Sequence, residues 1–86
     1  MNTIPTLETL ADKAGERGAT LGAKDALSGT YMNEANARSL ISDILLLYMV
    51  FVHEEGDDSD IYTGYILSEF MLAYTFAFYT PFSQNI

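Results

Sequence analysis

The chain has 86 residues, 49% of them hydrophobic, with no cysteine and twelve acidic against four basic side chains, a formal net charge of −8. A domain this small buries only about two-thirds of the surface that its unfolded chain exposes, so its apolar content exceeds what one copy hides and self-association is the expected outlet. The same totals exclude a disulfide framework, a thiol nucleophile and a zinc–thiolate site, and they argue against the clustered Lys and Arg that neutralise phosphates in nucleic-acid binding.

In chain order, the opening MNTIPTLETL lacks the basic and apolar regions of a signal peptide, which predicts a cytoplasmic chain. Pro5 suits a first helical position. Leu7, Leu10, Ala11, Ala14, Gly18 and Leu21 recur at helical spacing, predicting a helix from about Pro5 to Arg17 or on to Leu27. Gly15, Gly18 and Gly22 leave two alternatives. With Ala11, Ala14, Ala19, Ala23 and Ala26 they form a small-residue seam for close helix approach, or Gly18 caps the helix and a second one follows. No strand precedes these glycines and no Gly-Lys-Ser/Thr follows, so they do not form a phosphate loop.

Leu27-Ser28-Gly29-Thr30 is a predicted turn, with Thr30 or Asn33 capping the next helix. That helix carries Ala37, Leu40, Ile41, Ile44, Leu45, Tyr48, Phe51 and Val52 on an apolar stripe, with Arg38, Ser42 and Asp43 on its wet side. From Ile44 to Val52 nine residues are apolar without a break, and a helix apolar all round is one covered on every side. Gly56 is the expected cap. The loop His53–Asp60 holds five acids, and a third helix is predicted from about Asp60 to Tyr79, stopping before Pro81. The aromatic run Tyr74–Tyr79 also has strand character, but nothing punctuates the helical pattern between Glu69 and Thr80. The predicted fold is a single all-α domain over residues 1–86, a small bundle built on a long apolar hairpin of the second and third helices, and dimeric.

No catalytic constellation emerges. His53 is the lone histidine and lacks the spaced partners of HExxH or ExxH metal motifs, so it is expected as a helix-terminal side chain meeting the dipole. Asp58, Asp60 and Glu69 match positions one, three and twelve of a calcium loop, yet Tyr62 stands at position five and Thr63 at the glycine position. No cofactor or metal is therefore expected. Glu69, alone in an apolar stretch, should pair with Arg38 or with a tyrosine.

Two surfaces stand out instead. Glu8, Asp12 and Glu16 place one carboxylate per turn along a helix face, about 6 Å apart, a spacing close to that of backbone phosphates. Glu54, Glu55, Asp57, Asp58 and Asp60, with Tyr62, make an acidic second patch in a half of the chain that has no Lys or Arg after Arg38. These nine residues are the expected partner-binding set, addressed to the basic surface of a larger protein or nucleoprotein complex. Leu47, Tyr48, Phe51, Phe70, Tyr74 and Phe78 are the expected self-association set.

In size, acidity and lack of catalytic groups, the chain resembles the anti-CRISPR and anti-restriction inhibitors of phages and mobile elements, a likeness of profile without a shared motif. It implies non-enzymatic inhibition of a nucleic-acid-handling complex, with the chain lying over a basic surface and acting in part as a nucleic-acid mimic. The alternatives are a homodimeric adaptor or antitoxin-like module, and a small membrane hairpin using the 22 residues from Ile61 to Phe82.

Overall fold

In the computed structural model the backbone is described for residues 5–53 and 59–84, and the side chains for 5–53 and 60–80. Helix α1 spans Leu7–Ser28 without interruption. It starts two residues later than Pro5 implies, because the Thr6 hydroxyl accepts the Thr9 N–H at 3.1 Å and so makes Thr6 the N-cap. It ends where Gly29 turns left-handed at φ 75° and donates its N–H to the Asp25 and Ala26 carbonyls. Gly18 is therefore no cap. It lies mid-helix on a buried stripe of small residues, Ala14, Gly18, Gly22 and Ala26, each four apart.

After an extended passage, Asn33 accepts the Ala35 N–H and opens a short 3-10 turn, Glu34–Asn36. Helix α2 (Ala37–Leu40) and helix α3 (Ser42–Leu47) follow, and the chain then widens into a π-helical turn, Tyr48–Val52, closed by the His53 N–H on the Tyr48 carbonyl at 2.8 Å. The single helix predicted here is thus broken at Ile41, whose φ of −120° and ψ of 23° leave the helical region. Ile41 is fully buried, and Arg17 of α1 reaches across the break. Its guanidinium donates to the Leu40 carbonyl at 3.2 Å and forks onto the Asp43 carboxylate at 2.5 and 3.0 Å. This is the one ion pair among the described residues.

The hydrogen bonds from Arg17, reinforced by its charge, hold the Asp43 carboxyl below the usual carboxylate range. The pair is well exposed, so Asp43→Asn is expected to lower stability by under about 1 kcal/mol. A folded-state value below the unfolded one means that this contribution is complete above about pH 4 and disappears on further acidification. Urea titrations of both proteins at pH 7 and pH 2.5 should differ only at the higher pH.

Helix α4 runs over Ser59–Gln84. It does not stop before Pro81 as expected, and Tyr74–Tyr79 is helix rather than strand. A proline removes the N–H that would bond one turn back and crowds the carbonyl there, a cost that a helix near its end tolerates better than one at its middle. No strand occurs among the described residues.

The three segments run up, down and up. The middle one lies antiparallel to α4, with Tyr31 at its start against Phe78 and Tyr48 near its end against Tyr62. The tightest pairing, however, is α1 with α4 and not the predicted hairpin of second and third helices. These two helices run in the same direction, with Gly15 beside Glu69, Gly18 against Phe70 and Gly22 against Tyr74 and Ala77. The reason is size: glycine at 18 and 22 lets the α4 backbone approach where any Cβ would collide with the Phe70 or Tyr74 carbonyl oxygen. The core between the segments is formed by Leu10, Ala14, Ile41, Ile44, Tyr48, Ile66, Phe70, Tyr74 and Phe78. No single described helix is long and apolar enough to cross a bilayer; only the bent pair Glu34–Leu40 and Ser42–Val52, angled by 55°, passes on length and composition.

Candidate functional site

The outer face of α1 carries Glu8, Asp12 and Glu16, all exposed. Their positions follow from the seam: with Ala14, Gly18 and Gly22 turned inward against α4, the residues on the far side of the cylinder face water. Among the described residues none of the three carboxylates has an ion-pair partner, because Arg17 is engaged by Asp43 and Lys13 stays outside contact distance. A shallow groove beside this row is lined by Lys13, Glu16, Arg17, Thr20, Leu21 and Leu40.

Asp60 is exposed in the first turn of α4, where the helix dipole favours an acid, and Tyr62 is exposed two residues further. Glu54, Glu55, Asp57 and Asp58 lie outside the described residues. Tyr62 also touches Tyr48, with ring centroids 6.2 Å apart. His53 ends the π-helical turn with its ring 6.0 Å from that of Tyr48 and its Nδ1 buried without a hydrogen-bond partner among the described residues. Among the described residues no group of three or more His, Asp or Glu stands close enough together to hold a metal ion. Glu69 is half-buried and makes no salt bridge among the described residues; the expected Arg38 partner is exposed, and the basic residue that does bridge among them is Arg17.

The self-association set needs correction. Tyr48, Phe70, Tyr74 and Phe78 are in the core of one copy, each 6% exposed or less, and Leu47 is half-buried, so only Phe51 remains on the surface. Tyr74 is a structural post. Its hydroxyl accepts the Met32 N–H at 2.9 Å and donates to the Asp25 carboxylate, while the Tyr31 ring stands edge-on to it at 5.1 Å.

The surface aromatics and aliphatics are different residues, interleaved with the buried ones. On α4 they are Ile61, Tyr65, Leu72, Phe76 and Tyr79, with Leu72 67% and Phe76 73% exposed. Residues at these positions fall within one narrow stripe of a helix, directly away from Phe70 and Tyr74. A second exposed apolar cluster, Leu46, Met49, Val50 and Phe51, sits at the π-helical turn. The signal for the α4 stripe is present in the sequence as apolar residues at steps of four, seven, four and three, but on a helix apolar all round it cannot be told from the inner stripe. No known family matches this chain, and neither curated proteins nor solved structures give a relative for it.

Proposed function

We propose that this protein acts by contact, as a small acidic inhibitor that occupies a basic surface on a larger nucleic-acid-handling protein, and that it does so as a homodimer. The observation that supports this is the exposed, unpaired carboxylate row of Glu8, Asp12 and Glu16 on one face of α1. Spaced about 6 Å apart on a rigid helix, three acids present a repeating negative edge to lysines and arginines arranged for phosphates. Asp60 and Tyr62, exposed at the start of α4, add a second patch to this reading. Charge of this kind acts through encounter rate and orientation more than through buried area.

The test is affinity capture of the tagged protein with its partner from the native host, followed by titration of the purified pair. Affinity is expected to fall by about tenfold or more as salt rises from 50 to 300 mM. Charge reversal at Glu8, Asp12 and Glu16 should abolish capture, as should reversal at Asp57, Asp58 and Asp60, and duplex DNA or RNA should displace the protein. Salt-independent binding that survives both triple reversals would overturn the proposal. A homodimeric adaptor or antitoxin-like module is the alternative, favoured by the apolar stripe on α4; it predicts a partner that nucleic acid does not displace.

A further inference from the structure

We infer that the outward stripe of α4 is the surface on which a second copy of this chain docks, with the two α4 helices antiparallel and the two-fold axis crossing that outward face at the level of residue 70. This rests on the dimeric proposal above and supplies its interface. Three observations carry it.

The first is area. Two aliphatic and three aromatic side chains, each at least 42% exposed on one helix face, present on the order of 700 Å² of apolar surface per copy, against the roughly 800 Å² per partner of a standard stable interface. The second is charge. Between Ile61 and Thr80 the helix has a single ionisable acid, Glu69, at the margin of the stripe. A chain with net charge −8 therefore meets itself at least cost here, whereas a basic partner finds nothing to pair with.

The third is shape. Along the stripe and its edge, Ile61, Tyr65, Ser68, Leu72, Thr75 and Tyr79 mix large and small residues at the three- and four-residue steps of a helix–helix seam. Antiparallel pairing about residue 70 sets Tyr65 against the partner subunit's Thr75, Ser68 against the partner subunit's Leu72, and Ile61 against the partner subunit's Tyr79. Tyr65 and Leu72 then each meet a smaller side chain, and Ile61 lies against the ring of the partner subunit's Tyr79. Parallel pairing would stack Tyr65 on its own copy and leave Ser68 and Thr75 as undersized layers, which close packing disfavours. A groove beside Ser68, Leu72 and Thr75, walled by Tyr31, Glu34 and Met71, gives an incoming side chain room on that edge.

Sedimentation equilibrium of the full chain at 1–100 µM should give twice the 9.5 kDa chain mass. Leu72→Glu/Phe76→Glu is expected to weaken the dimer by about a hundredfold or more while leaving the helical circular dichroism unchanged, since both side chains point outward. Because the chain has no cysteine, orientation is read by mild oxidation: S68C/L72C should form an intermolecular disulfide at least tenfold faster than S68C or L72C alone. A wild-type chain monomeric throughout would overturn both this interface and the dimeric proposal. A dimer indifferent to L72E/F76E would overturn the interface alone, leaving the dimer to the Leu46–Phe51 cluster. Single variants that cross-link as fast as the double would overturn the antiparallel arrangement.

Discussion

Replacing Gly18 by alanine is expected to remove roughly 3 kcal/mol of stability, and replacing Gly22 about as much again. Alanine is the better helix former by roughly 1 kcal/mol, so intrinsic propensity predicts the opposite sign. Contact with α4 reverses it. A Cβ on Gly18 would collide with the Phe70 carbonyl oxygen, and one on Gly22 with the Tyr74 carbonyl oxygen. Backbone atoms cannot rotate aside as a side-chain tip can, so α1 and α4 would have to separate along their whole contact. For a domain of this length total stability is on the order of 4–13 kcal/mol, and the double variant is expected to be largely unfolded at 37 °C. Gly15→Ala is the internal control. The nearest atom to its added Cβ is the Glu69 carbonyl oxygen at 3.9 Å, an ordinary contact, so this variant should gain up to about 1 kcal/mol. Urea denaturation followed by circular dichroism gives all three values. Equal behaviour of the three glycines would show that α1 and α4 do not meet through this seam.

The same seam shows what was legible in the sequence. Small residues at 14, 18, 22 and 26 announce close approach, and Gly29 announces the end of α1, because both signals are local. Whether Gly18 was seam or cap depended on what lay opposite, which only the packed chain supplies. The break at Ile41 left no trace of its own: no glycine or proline stands there, and what makes the break tolerable is Arg17, twenty-three residues upstream in α1, taking the Leu40 carbonyl. For α4 the difficulty was different. Phe70, Tyr74 and Phe78 read as interface residues because they are aromatic, while nothing in the pattern singled out Leu72 and Phe76 as the outward residues. A helix without a polar face hides its own orientation. The acidic row suffered no such ambiguity, since carboxylates at 8, 12 and 16 have no reason to turn inward.

The largest single-residue loss is expected at Tyr74, which couples α1, the extended passage before α2, and α4. Tyr74→Ala removes a fully buried ring stacked between Phe70 and Phe78 and braced by Tyr31, a change that typically costs about 3–5 kcal/mol. Tyr74→Phe separates the hydroxyl from the ring. It leaves the Met32 N–H and the Asp25 carboxylate without their shared partner, for an expected loss of about 1–3 kcal/mol. The hydroxyl also carries a pH signature. Burial, and then the hydrogen bond to Asp25, push its pKa up from 10 to about 12. Because the folded-state value lies above the unfolded one, the protein is stabilised in full below about pH 10, and that stabilisation drains away as pH rises through 12. Wild-type unfolding free energy should therefore fall between pH 10 and 12 more steeply than that of Tyr74→Phe, with the two proteins converging at the alkaline end. Parallel slopes would mean that the Tyr74 hydroxyl is not the buried link between Asp25 and Met32, and that α4 is held to the rest of the chain by its rings alone.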